Sequence, residues 1–162
     1  MSNRLEGRVA VITGAGSGIG YATSKRLASE GAHVVAVDTN EETGQAIAKE
    51  VGGKFVKADV TTSAQVENMY KVAFDTYGRI DIAFNNAGIS PPDDDSILVT
   101  GIDAWERVLR VNTTSVYLCC KAVIPYMLKA KKGSIINTAS FVATMGAATS
   151  QIAYTASKGG VL

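Results

Sequence analysis

Short apolar, β-branched runs alternate along the chain with longer segments of helical composition. The runs predict strands near 8–13, 33–38, 54–58, 80–85 and 133–139, and the segments predict helices near 18–30, 41–51, 63–77, 103–131 and from 152 onward. The two patterns exchange roughly every 20 to 30 residues, as in repeated βαβ units around a parallel sheet. Right-handed crossovers with a switch point after the third strand give the order 3-2-1-4-5, with any ligand at the carboxyl ends of the strands. The fold class is therefore α/β, a doubly wound parallel sheet. No linker, repeat or low-complexity segment divides residues 1–162, which read as a single domain.

The first strand, Arg8-Val-Ala-Val-Ile-Thr13, runs into Gly14-Ala-Gly-Ser-Gly-Ile-Gly20. Glycines at alternate positions let a loop bend sharply and approach a ligand closely. The helix that follows offers Ala22, Leu27 and Ala28 as an apolar stripe and stops at Gly31. A strand, a glycine loop and a helix together aim free main-chain N–H groups and the positive helix end at a pyrophosphate. The usual G-x-G-x-x-G spacing does not fit, because counting from Gly14 its third glycine falls on Ile19; Thr13-Gly14-x-x-x-Gly18-Ile19-Gly20 does. The second strand ends on Asp38, 18 residues beyond Gly20. A βαβ unit places such a carboxylate against the adenosine ribose hydroxyls, where it would repel a 2′-phosphate. Thr39 and Asn40 follow it, and no base stands nearby in the sequence, so the expected cofactor is NAD rather than NADP.

The candidate chemistry lies near Ser140 and in Tyr154-Thr155-Ala156-Ser157-Lys158. On a helix the phenol and the ammonium lie one turn apart on one face. A nearby ammonium favours the phenolate, and for an acid/base near neutrality the tyrosine pKa must fall by roughly 3, worth about 4 kcal/mol. Ser140 would aim a hydroxyl at the oxygen on which charge develops. A lone Tyr-x-x-x-Lys is also common where a lysine merely snorkels past a core ring, so the glycine loop upstream is what gives the pair its functional reading.

Together these residues resemble the short-chain dehydrogenase/reductase family. The resemblance runs through Thr13-Gly14-x-x-x-Gly18-Ile19-Gly20, Asp38, Asp59-Val60, Asn85-Asn86-Ala87-Gly88, Asn112, Ser140 and Tyr154-x-x-x-Lys158. It implies a Rossmann-type fold and a cofactor site of Gly14, Ser17, Gly18, Ile19, Gly20 and Asp38. Asp59 and Val60 would hold the adenine, and Asn86, Ala87 and Gly88 would lie beside the adenosine ribose. Ser140 is expected to orient the substrate oxygen, Tyr154 to exchange the proton, and Lys158 to grip the nicotinamide ribose while acting on Tyr154. Asn112 would hold a helix kink and a water on the proton path. The implied activity is hydride transfer between NAD and a secondary alcohol or ketone. The resemblance also implies a homodimer or homotetramer built on the helices at 103–131 and 152 onward, with Val116, Leu118, Val123 and Met127 as its apolar surface. Without the family, Asp59 could cap the next helix, Asn85–Gly88 could be only a turn, and Asn112 could be a satisfied core amide.

Composition narrows the partners. Sixteen basic against fifteen acidic residues leave a net charge of +1 with no dense basic cluster, which argues against nucleic acid and anionic membranes. No signal-peptide core and no stretch near 18 apolar residues are present, so a cytoplasmic protein acting on a small molecule is expected. Cys119 and Cys120 lack metal spacing and read as small core residues, and no metal site is expected. Pro91-Pro92-Asp93-Asp94-Asp95 reads as a surface loop near the mouth of the site, with a cation site of its three carboxylates as the alternative to a solvated loop, and His33 as a residue with no visible partner. Relatives of this type usually continue past the catalytic lysine, so residues 1–162 are expected to be part of a longer enzyme. The competing reading is a catalytically silent NAD-binding module.

Overall fold

The central strands at Val9–Thr13, His33–Asp38 and Ile82–Asn85 are short and largely buried on both faces, which suits a parallel sheet covered by helices on both sides, while the edge strands at Lys54–Lys57 and Ser134–Asn137 are more exposed. The computed structural model describes residues 3–146 and 148–162. Strands β1 (Val9–Thr13), β2 (His33–Asp38), β3 (Lys54–Lys57), β4 (Ile82–Asn85) and β5 (Ser134–Asn137) form one sheet in the order β3-β2-β1-β4-β5. Every pairing is parallel: Val11 lies between Val35 and Ala83, and Asn85 pairs with Asn137. The expected order and fold class are found, with each strand within two residues of its expected bounds.

Helices α1 (Gly18–Ser29) and α2 (Glu41–Glu50) cover one face of the sheet, where Ile12, Val34, Ala36, Ile47 and Phe84 pack with Leu27 and Ala28. On the other face α3 (Ser63–Tyr77) and α5 (Ser115–Ala130) bury Val11, Val35, Met69, Tyr70, Cys119 and Val123. Helix α4 (Ile102–Leu109) is joined to α5 by a π-turn, Arg110–Thr114. The expected single helix over 103–131 is therefore interrupted by one wide turn. A short α6 (Val142–Met145), which periodicity did not reveal, leads to α7 (Ile152–Val161). Helix α5 ends on Lys131, whose φ of 52° makes it the only non-glycine residue with positive φ among the described residues.

Several faces differ from the expected ones. Ala22 is exposed, and α1 buries Gly20 and Ser24 instead, because the close seat of the helix on the glycine loop favours small residues there. Val123 and Met127 lie in the chain's own core, so they cannot supply an interface; the exposed apolar residues of α5 are Tyr117, Ile124 and Leu128, one step round the helix. His33 has a partner, stacking on Tyr77 with ring centroids 5.0 Å apart. No helix among the described residues is long and apolar enough to cross a membrane.

Candidate active site

The site is assembled where β1, β4 and β5 end. Thr13 is buried at the end of β1, and its hydroxyl accepts from the main-chain N–H groups of Asn86 (3.0 Å) and Ala87 (3.1 Å). Asn86 Nδ2 donates back to the Thr13 carbonyl at 3.2 Å, while its Oδ1 accepts from the Thr138 hydroxyl at 3.3 Å. Three strand ends are thereby pinned around one amide. The sequence reading carried Thr13 only as the first residue of the glycine motif and missed Thr138, although each is a hydroxyl at the carboxyl end of a strand.

The glycine loop is shaped by this frame. Gly14 has φ +65°, and a Cβ there would press on Ala87 Cα at 3.0 Å. A Cβ on Gly20 would collide with the Gly14 carbonyl, so these two glycines are required by the loop's own closure. Gly18 differs: its φ is +51° and a Cβ there would meet open space. Ser17 stands at the N-cap of α1, where its carbonyl accepts from Tyr21 N–H at 3.0 Å but its side chain makes no capping bond, leaving the first-turn N–H groups uncapped by it at the cleft wall.

Asp38 closes the far side of the loop. Its Oδ2 accepts from Gly16 N–H at 2.8 Å and its Oδ1 from Asn40 N–H at 2.9 Å. Each carboxylate oxygen keeps acceptor capacity beyond these bonds. Asp59 Oδ1 accepts from Thr61 N–H at 2.9 Å, turning the chain; the N-cap position of α3 is Thr62, which makes no side-chain capping bond, so Asp59 is not its N-cap. Gly14, Ser17, Asp38, Asp59 and Val60 line a cleft of about 490 Å³. Arg107 and Arg110 line it too, so bases absent from the sequence neighbourhood of Asp38 share its cleft. Arg107 is engaged by Asp93 at 2.7 Å.

A second cleft of about 310 Å³ shares Gly14, Ser17, Ala87, Gly88 and Ile89 with the first and is closed by Thr138, Tyr154 and Lys158. The two make one groove with the glycine loop at its waist. Free helix-end N–H groups at the waist, a carboxylate in one lobe and an ammonium in the other fit a dinucleotide. Lys158 is buried, and its Nζ donates to the Thr138 carbonyl at 2.6 Å and lies 5.6 Å from the centre of the Tyr154 ring. Burial pushes its pKa below the ordinary lysine value. A Cβ on Gly88 would lie 3.3 Å from Asn112 Oδ1 and 3.5 Å from Nζ, so the tight contact there would be with the Asn112 amide rather than with the ammonium. The Tyr154 hydroxyl has no hydrogen-bond partner among the described residues and lies open to a ligand.

Asn112 sits in the π-turn, 1% exposed, and is fully used: Oδ1 accepts from Ile89 N–H at 2.8 Å, and Nδ2 donates to the Ile89 carbonyl (2.9 Å) and the Ser157 hydroxyl (3.0 Å). Its side chain ties the strand-end loop to α7. Ser140 is half-buried and lies two residues past Thr138, outside the lining of the Tyr154 cleft, with its hydroxyl unbonded among the described residues. The structure thus brings Tyr154, Lys158, Asn112 and the glycine loop together, and holds Ser140 on the adjoining segment.

The acidic loop is exposed at Pro92, Asp93 and Asp95, as expected of a surface loop, but not at Asp94. Asp94 is 5% exposed, and its carboxylate accepts from the N–H groups of Ala153 (2.8 Å) and Tyr154 (2.7 Å). Among the described residues no cluster of His, Cys, Asp or Glu could hold a metal ion. Cys119 is buried and its thiol pushed up to about 12, chiefly by burial, while Cys120 is half-buried.

Comparison with known proteins identifies the family. The family described as short chain dehydrogenase matches residues 8–162. Secoisolariciresinol dehydrogenase of Forsythia intermedia is 41% identical over 165 residues, covering 100% of this chain and 59% of its own length. The mitochondrial borneol dehydrogenase of Lavandula x intermedia is 43% identical, with 98% of this chain and 61% of that protein covered. Among solved structures, gox2181 superposes with a TM-score of 0.94 at 30% identity, over 98% of this chain and 64% of that one. The chain thus spans about three fifths of the length of these relatives. With the family's pattern matched over residues 8–162 and the fold shared with a solved neighbour, the chain belongs to the short-chain dehydrogenase family.

Proposed function

We propose that residues 1–162 form the nucleotide-binding and proton-transfer domain of an NAD-dependent oxidoreductase acting on a secondary alcohol or its ketone. The observation that carries this reading is the unbonded Tyr154 phenol standing beside buried Lys158, in a groove continuous with the glycine loop and Asp38. When bound, the nicotinamide cofactor supplies the hydride acceptor or donor. The chain's own residues do the rest. First-turn N–H groups of α1 and the Gly18 backbone receive the pyrophosphate, Asp38 accepts from ribose hydroxyls, and Asp59 with Val60 borders the adenine. Lys158, with Thr138 holding one of its three N–H bonds, offers the others to the second ribose and stabilises negative charge on Tyr154. Tyr154 moves the proton at the substrate oxygen, which the Ser140 hydroxyl orients. The names of the relatives, dehydrogenases of two alcohols, support the reaction class. A homodimer or homotetramer in the cytoplasm belongs to the same proposal.

The test is Tyr154→Phe, which keeps the ring and removes the hydroxyl. Turnover on a panel of secondary alcohols should fall roughly 10² to 10⁴-fold while NAD affinity stays within about twofold. Retention of more than about a tenth of the turnover, a loss below roughly 1.4 kcal/mol, would remove Tyr154 from the proton path.

A further inference from the structure

Helix α7 carries Tyr154 in its first turn, yet the side chain of its N-cap residue, Gln151, takes none of the first-turn N–H groups, and the Gln151 carbonyl accepts, among the described residues, only from Thr155 N–H at 2.9 Å. The Gln151 side chain accepts instead from Ser90. The first-turn N–H groups of a helix need acceptors from elsewhere. Here they come from a loop some 60 residues earlier. Asp95 takes Ile152 N–H on its main-chain carbonyl at 3.0 Å, and Asp94 takes Ala153 and Tyr154 N–H on its two carboxylate oxygens. Asp94 is 5% exposed and its own N–H is held by the Pro91 carbonyl. Asp93, beside it, is held by Arg107 of α4.

From this geometry we infer that Asp94 is a positioning residue for the proposed acid/base. It grips the main-chain nitrogen of Tyr154 itself and so sets where the phenol leaves α7. The inference rests on the function proposed above. The opposite end of the pair is fixed independently, Lys158 by Thr138 and Ser157 by Asn112. The phenol-to-ammonium geometry therefore depends on two anchors, and Asp94 is the anchor on the tyrosine side. The two adjacent N–H donors each meet their own oxygen of one short carboxylate, whereas an amide would offer one oxygen and turn an NH2 donor toward the other N–H. The same loop begins at Ile89 and Ser90, which line the Tyr154 cleft, so the anchor also joins the cleft wall to the helix.

The experiment combines amide hydrogen exchange with kinetics on Asp94→Asn and Asp94→Ala. In the unmodified chain, Ala153 and Tyr154 amides should exchange as slowly as the interior of α7. Exchange at the rate of an uncapped first turn would overturn the anchor, whatever the enzyme's activity. In the variants, exchange at these two amides should rise about tenfold or more while α5 amides hold, and turnover should fall about tenfold or more with NAD affinity nearly unchanged. Asp94→Asn, which keeps one acceptor, should lie between the unmodified protein and Asp94→Ala. The pH midpoint of turnover should also move, as a purely structural prop would not require. Turnover within twofold of the unmodified protein, or an unmoved pH midpoint, would overturn the positioning role. If the unmodified protein oxidises no alcohol, the proposed function fails, and the exchange measurement alone still decides whether Asp94 anchors Tyr154.

Discussion

Asp38 holds two main-chain N–H groups, one from the glycine loop and one from the turn after β2. The carboxylate therefore shapes the loop as well as lining the larger cleft, where the proposed function seats the adenosine ribose. Replacing it should cost NAD more than a ribose contact alone would. In Asp38→Ala with Thr39→Arg, NAD affinity should fall about tenfold or more, close to 1.4 kcal/mol, and preference should move toward NADP as repulsion is lost and a phosphate partner gained. Binding of both cofactors to the two proteins decides the matter; equal affinity of the unmodified protein for NAD and NADP would refute the assignment. Arg107 and Arg110 in the same cleft make this a real trial of Asp38, because basic residues are already close by.

At the scale of elements, what was legible in the sequence was what local periodicity writes. The β-branched runs specify strands, and Gly14 to Gly20 specifies a turn that only glycine can close at Gly14 and Gly20. Periodicity cannot show a hydrogen bond between residues remote in sequence. Asp94 read as one carboxylate of a solvated triplet because its partners, Ala153 and Tyr154, lie across the fold. The π-turn at Arg110–Thr114 was invisible for a related reason: the apolar pattern continues through it, and only the polar run Asn112-Thr113-Thr114 marks the place. That turn orients Asn112 toward Ile89 and Ser157, so Asn112→Ala should strand three polar partners at once. A destabilisation of about 3 kcal/mol is expected from urea unfolding, with little change in secondary structure. A cost below about 1 kcal/mol would mean water replaces the amide.

Across the whole molecule, function and stability sit at opposite ends of the sheet. Asp81 lies at the amino ends of the strands, pairing with Arg8 and Arg79 and accepting from Val9 N–H, while its own main chain bonds Val9 and Ser134. Burial opposes its ionisation, yet the bonds from Arg79, Val9 and Arg8 outweigh that and lower its pKa from 3.8 to about 2. A depressed carboxyl pKa stabilises the fold above the unfolded-state value and loses that effect as pH falls through the folded one. Its contribution, about 2 kcal/mol, should therefore be complete above about pH 4 and vanish toward pH 2. Urea unfolding at pH 6 and pH 3 should show a weaker acid loss in Asp81→Asn than in the unmodified chain; identical losses would assign the effect elsewhere.

Lys131, by contrast, works against the fold. A side chain at φ 52° carries strain that glycine does not, and the residue closes α5 just before β5 begins, at the end of the sheet away from Tyr154. Lys131→Gly should raise stability by about 1 kcal/mol, or about 2 to 4 °C in melting temperature, with turnover untouched. An unchanged or lower melting temperature would show that the lysine side chain compensates for its backbone. The chain thus holds an unspent margin, and a lineage drawing on it could tolerate a destabilising change in the groove, such as a new substrate wall, without falling below the threshold for folding.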